Sequence, residues 1–187
     1  EAHAIKGKLL ADNFTIDPAK QVACTDCHAA DLHADDRINE HVDTVACQTC
    51  HVPSMALKNP TKTVWDWSTA GQDLPEDHYS YLKIKGNFVY EKDVTPSYEW
   101  FNGNLAYRYL LGDTIVPTET TLLNPPAGSI EEPAAKIFPF KIHRANQPYD
   151  VNYNYLLQPI TSGEGGFWTT FDWKSSFELA QERIGLD

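Results

Sequence analysis

Apolar and polar residues alternate along YLKIKGNFVY (81–90), with a break at Lys85-Gly86-Asn87. Alternation sends successive side chains to opposite faces of an extended chain, so this stretch predicts a β-hairpin or two short strands. YRYLLGDTIV (107–116) and KIFPFKIH (136–143) carry shorter versions of the pattern and are further strand candidates. Near the C-terminus the period changes. Phe177, Ala180 and Ile184 recur at helical spacing, with Asp172 or Ser175 placed to cap the start and Gly185 to end it. DLHADDRINEH (31–41) reads as one or two short helical turns with exposed acids, and NPPAGSIEEP (124–133) as a loop. With 12 Pro and 10 Gly among 187 residues, the elements stay short. The expected fold class is therefore α+β and loop-rich: short helices first, then an irregular part with short β-hairpins, then a C-terminal helix.

Composition sets limits rather than a fold. Hydrophobic residues make up 42% of the chain, enough for a packed interior in one ordinary domain or a domain with an appended module. Twenty-six acidic against 15 basic residues leave a net charge of -11, which excludes a nucleic-acid partner because phosphates reward clustered Lys and Arg. No apolar run approaches the length of a membrane-spanning helix. The start, EAHAIKGKLL, lacks the basic and apolar regions of a signal peptide, so the expectation is a removed export signal or a segment of something longer. Chemistry is unevenly spread. Residues 1–58 hold all four cysteines and five of seven histidines, while 59–187 hold the five tryptophans with only His78 and His143. The expected division is a reactive segment, 1–58, and an aromatic-rich segment, 59–187, packing on it in one structural unit.

Every cysteine falls in one of two copies of a single pattern, CTDCH (24–28) and CQTCH (47–51). Three chemistries use such pairs. Nineteen residues separate Cys27 from Cys47, which suits a four-thiolate zinc site that needs no histidine. Seven histidines in 187 residues would place one behind a given pair about once in 27 sequences, and behind both about once in 700. A redox CxxC opens a helix after a strand, and the flanks KQVA and DTVA supply no such unit. Covalent haem uses every residue: two thiols join the porphyrin vinyl groups, the spacer sets their separation, and the next imidazole reaches the iron. Haem is the favoured reading, with zinc and a disulfide as the alternatives. It makes Cys24 and Cys27 the anchors of one haem c, with His28 as proximal ligand, and Cys47, Cys50 and His51 the equivalent set for a second. Haem joins reduced thiols outside the cytoplasmic membrane, so a periplasmic or extracellular location in a prokaryote is expected.

Each iron then needs a sixth ligand, and that ligand decides between closed electron transfer and an open, substrate-binding site. The spare imidazoles are His3, His33, His41, His78 and His143. An isolated histidine in an acidic stretch is commonly a solvated surface residue. His33 and His41 lie in the short linker between the motifs, where reaching a haem costs little loop entropy. The candidate distal ligands are His41, His33, His143 and His3, serving their own chain or a neighbouring one.

Further along, CHVP (50–53), TKTVWDWSTAG (61–71), KGNFVYEKDVTPSYEWFNG (85–103), KIFPFKIHRANQPYD (136–150) and FWTTFDW (167–173) follow one another. Together they resemble the octahaem tetrathionate reductase family, from about Cys47 to the end. The resemblance implies a periplasmic multihaem protein, related to enzymes that reduce tetrathionate, nitrite or hydroxylamine and whose catalytic haem carries a lysine ligand. It also strengthens His143 as a haem ligand. This chain departs from the family in having two motifs instead of eight, both ending in histidine, and so corresponds to a middle segment.

Two functions from different classes follow. The first is a dihaem electron carrier with bis-His irons, working with redox partner proteins or with further copies of itself in a filament. The second is a part of a multihaem reductase; a zinc-stabilised binding module is the remote third. Trp65, Trp67, Trp100, Phe101, Trp168 and Trp173 are expected to fill the core beneath loops, and Lys141 and Arg144 are expected in surface pairs or beside anionic groups.

Overall fold

Asp35 begins the first regular element. Its backbone is extended and its carboxylate accepts from the Arg37 N–H at 2.9 Å, so α1 (Asp36–His41) starts immediately after it. The computed structural model describes residues 24–29, 31 and 33–185. Beyond α1 the chain forms α2 (Cys47–His51), β1 (Thr61–Asp66), β2 (Tyr81–Leu82), β3 (Gly86–Glu91), β4 (Ser97–Phe101), β5 (Lys136–Phe140), β6 (Arg144–Asn146), α3 (Phe167–Thr170) and α4 (Trp173–Ile184). This is the loop-rich α+β architecture expected, with a few short helices, small sheets and a terminal helix. Among the described residues, no helix is long and apolar enough to cross a membrane.

The residues group into two units. One joins Glu1–Met55 with Thr95–Arg108 and Leu122–Lys141. Its centre is the antiparallel pair β4–β5, in register from Ser97 opposite Phe140 to Phe101 opposite Lys136. Phe101, 5% exposed, sits with Phe138 and Phe140 at ring separations of 5.5 and 5.2 Å. The outer edge of β5 takes Val45 as a parallel bridge partner at Ile137. Lys136 reaches from the same strand to donate to the Val42 carbonyl at the end of α1, where a cation also meets the negative end of the helix.

The second unit joins Ala56–Val94, Tyr109–Thr121 and Ile142–Asp187. Its sheet runs β2-β3-β1-β6, antiparallel except for the parallel pair β1–β6. The alternation in 81–90 becomes the β2–β3 hairpin, with Leu82 opposite Gly86. Gly86 has φ +78°, and a Cβ there would lie 2.2 Å from the Asp66 carbonyl oxygen, so the turn needs glycine for both conformation and space. Tyr81, Phe88 and Phe167 are buried, and Trp173 stacks on Phe167 with ring centroids 3.8 Å apart. Of the two caps expected for α4, Asp172 is the one used, accepting from the Lys174 N–H, and Gly185 ends the helix in the left-handed region.

One strand expectation fails. YRYLLGDTIV (107–116) is irregular, bridging only at Thr114 to Tyr155. Asp113 takes over the local hydrogen bonds: its carboxylate accepts from the Leu110 N–H, its N–H donates to the Leu110 carbonyl, and its carbonyl accepts from the Tyr109 hydroxyl. A tight turn built around Gly112 competes successfully with an extended ladder. In the opposite direction, β1 and β4 arise where periodicity gave no warning.

Candidate functional site

The second cysteine motif is a helix, and the fold holds it from outside the motif. In α2, positions 47 and 50 are three apart and therefore share a face. Cys47 is half-buried, while Cys50 and His51 are exposed. No side chain caps α2 at Ala46, so its start is held by β5 instead. The Ile137 carbonyl accepts from the Ala46 N–H at 3.0 Å and from the Thr49 hydroxyl at 2.7 Å, and the Ile137 N–H donates to Thr44 at 2.8 Å. A strand 88 residues away thus sets the position of CQTCH.

The first motif is tighter. Cys24–Asp26 form a 3-10 turn in which the Cys24 carbonyl accepts from the Cys27 and His28 N–H groups at 3.3 and 2.9 Å. Cys27 and His28 are exposed. The Cys24 and Cys47 thiols lie near one another, so the first sulfurs of the two motifs are neighbours. Burial, and then the neighbouring Cys47 thiol, push the Cys24 thiol above its ordinary pKa. All four thiols are free.

The remaining imidazoles separate into two groups. The His33 N–H donates to Asn39 Oδ1 at 3.0 Å, Asn39 Nδ2 donates to the His33 carbonyl at 2.8 Å, and His33 Nδ1 lies 3.2 Å from Asn39 Oδ1. The His33 and His51 rings stack, with centroids 6.2 Å apart and planes 28° apart. In the second unit, His143 Nδ1 lies 3.3 Å from the Lys62 carbonyl. A carbonyl only accepts, so that nitrogen carries a proton, which in the neutral ring leaves the lone pair on Nε2. The rings of His28, His41 and His78 are exposed and make no hydrogen bond to a described residue. His3 lies outside the described residues.

Beside His143, Lys62 stands over the rings of Trp65, Phe88 and Tyr90 at 3.8, 4.6 and 5.5 Å. Burial, and then the charge of Lys85, lower its pKa. Neither Asn39, Thr49 nor Lys62 was singled out by spacing. Thr49 sits in the variable part of CxxCH, and the other two acquire partners only through folding.

A sequence model of the family described as bacterial cytochrome c matches residues 62–187. The chain belongs to the bacterial cytochrome c family. The crystal structure of octaheme cytochrome c from Shewanella oneidensis is 45% identical, with a TM-score of 0.81 over 85% of this chain and 37% of that one. This chain therefore spans well under half of the octaheme chain. Among curated proteins, none matches. The protein is a multihaem c-type cytochrome related to the octahaem tetrathionate reductases, and its haem c is covalently bound.

The residues of this cytochrome fit that group. Thioether attachment needs two unpaired sulfurs three positions apart with an imidazole immediately behind, and both motifs offer this set. The family match itself begins at Lys62, beyond both motifs, so it rests on the aromatic part of the cytochrome.

Proposed function

We propose that this cytochrome carries two haems c, one held by Cys24 and Cys27 with His28 as proximal ligand, the other by Cys47 and Cys50 with His51, and relays single electrons between them and its partners. Bound haem supplies a one-electron iron couple. Residues 1–58 are the dihaem segment, and 59–187 bring no haem motif. The sixth ligands come from His33, His143, His41 and His3, in the same chain or a neighbouring copy, and bis-imidazole ligation leaves no position for substrate. The observation that carries this reading is the state of the donors: four free thiols, two exposed proximal imidazoles, and two further imidazoles with Nδ1 committed. A closed zinc site needs four donors about one ion. Among the described residues, no three His, Cys, Asp or Glu side chains converge in that way. The protein works in the periplasm or outside the cell, with redox proteins or with copies of itself. Head-to-tail contacts that do not close would extend such copies into a filament.

A second reading makes the chain a segment of a multihaem reductase of tetrathionate, nitrite or hydroxylamine. It draws on the 45% identity to a chain with eight haems, of which this one spans 37%. One set of spectra tests both. Two c-type haems per chain by pyridine haemochromogen, wholly low-spin and indifferent to nitrite, hydroxylamine and cyanide, are the expected result. A high-spin fraction that shifts with those ligands moves the weight to the reductase. Stoichiometric zinc with no haem removes both.

A further inference from the structure

We infer that His33 and His51 are the two axial ligands of one iron, that of the haem at CQTCH, and that Asn39 is a positioning residue that holds His33 for this role. The inference rests on the two-haem reading above and names the sixth ligand which that reading leaves open at its second haem.

The separation of the two rings carries the inference. Two imidazoles on one iron point a nitrogen at it from opposite sides, and metal–imidazole bonds of about 2 Å put their ring centroids about 6.3 Å apart. The His33 and His51 centroids are 6.2 Å apart, with planes inclined by 28°. His51 directly follows Cys50, so the iron it serves as proximal ligand is that of the second haem. His33 then fills the sixth position of the same iron. Both ligands lie within residues 33–51 of one chain and in one compact unit, so bringing them together costs little loop entropy. The second haem is thereby closed without help from a neighbouring copy.

Asn39 prepares the His33 ring for that position. The His33 N–H can meet only an acceptor and the His33 carbonyl only a donor, so Oδ1 faces the former at 3.0 Å and Nδ2 the latter at 2.8 Å. Ring Nδ1 lies 3.2 Å from that same oxygen and carries a proton, which in the neutral ring leaves the lone pair on Nε2. Metal-binding histidines commonly donate the second ring N–H to an oxygen in this way, which fixes the ring and makes the ligating nitrogen more basic. Each ligand is anchored from outside its own side chain. Asn39 stands on α1, whose start is capped by Asp35, and His51 stands on α2, which β5 holds through Ala46 and Thr49.

The test uses the full haem-loaded chain. Cys24→Ala with Cys27→Ala isolates the second haem, which should remain low-spin and keep that state on dilution, since both ligands belong to one chain. Near-parallel imidazole planes separate iron d orbitals that perpendicular planes leave degenerate, so its electron paramagnetic resonance signal should be rhombic rather than strongly axial. Adding His33→Gly should turn this haem high-spin, and added imidazole should restore the low-spin signal. In a chain with Cys47→Ala and Cys50→Ala, His33→Gly should leave the remaining haem unchanged. In the chain with both motifs, Asn39→Leu should let cyanide bind one haem about tenfold more readily. Asn39→Asp, a stronger acceptor for the ring proton, should lower the midpoint potential of that haem, which a merely structural asparagine would not do. An isolated second haem that stays low-spin in His33→Gly would overturn the inference, as would a spin state that changes on dilution or an effect confined to the first haem. If the motif-deleted chains do not fold, unchanged cyanide binding and potential in both Asn39 variants would overturn it equally. A wild-type chain without haem would defeat the two-haem reading and the inference with it, a result distinct from these.

Discussion

Replacing Thr49 by valine tests whether β5 holds the second haem motif through a single hydroxyl. The Thr49 Oγ–H donates to the Ile137 carbonyl at 2.7 Å in a partly buried setting, and the Ala46 N–H donates to the same oxygen at 3.0 Å. Valine keeps the branched shape and removes only the donor. A neutral hydrogen bond contributes about 0.5–1.5 kcal/mol net, whereas a buried carbonyl left with no partner costs about 1–3 kcal/mol. Ile137 retains the Ala46 N–H, so the smaller figure applies. The expected loss is about 1 kcal/mol, or roughly a fivefold rise in the unfolded fraction. Thr49→Ser, which keeps the donor, should lose less. Neither change touches a thiol or the proximal imidazole, so the haem count should stay at that of the wild type. Urea unfolding followed by far-ultraviolet circular dichroism gives the stability, and pyridine haemochromogen gives the count. A Thr49→Val protein as stable as the wild type would show that the hydroxyl does not anchor α2. A loss beyond about 3 kcal/mol would show that the Ala46 bond breaks with it.

Gly86→Ala combines a left-handed backbone with a Cβ 2.2 Å from the Asp66 carbonyl oxygen, and should destabilise by about 3 kcal/mol or more; a cost below about 1 kcal/mol in thermal unfolding would refute the tight turn. At the start of α4, the Ser175 hydroxyl and then the Lys174 N–H hold the Asp172 carboxyl below its ordinary pKa. Its stabilising effect is complete above the unfolded value near about 3.9 and is lost as pH falls through the lower folded one. Amide exchange in the first turn of α4 should rise over that acidic range, and Asp172→Asn should abolish the dependence. His143→Ala removes an exposed ring, so stability should change by no more than about 0.5 kcal/mol. A haem that nonetheless turns high-spin would establish His143 as its ligand, and an unchanged spectrum would strike it from the candidates.

What was legible in the chain is what neighbours in sequence determine. The spacing of CTDCH and CQTCH, the turn at Gly86, the Asp172 cap and the Gly185 stop each depend on atoms within a few residues. The same local logic misjudged 107–116, where apolar alternation yielded to hydrogen bonds made by Asp113 across Gly112. The parallel pairing of β1 with β6 and the hold of β5 on α2 join residues some 80 or more positions apart, and no periodicity encodes such partners.

The candidate site divides in the same way. Residue type and spacing alone determined that four thiols and two trailing imidazoles would be offered in pairs, because the attachment chemistry is local to five residues. Among the five spare histidines, position in the linker favoured His33 and His41, and the family resemblance favoured His143. Only the tertiary structure assigned the ring nitrogens of His33 and His143, since a tautomer is chosen by whichever oxygen faces the ring. Those oxygens belong to Asn39, six residues away, and to the Lys62 carbonyl, 81 residues away.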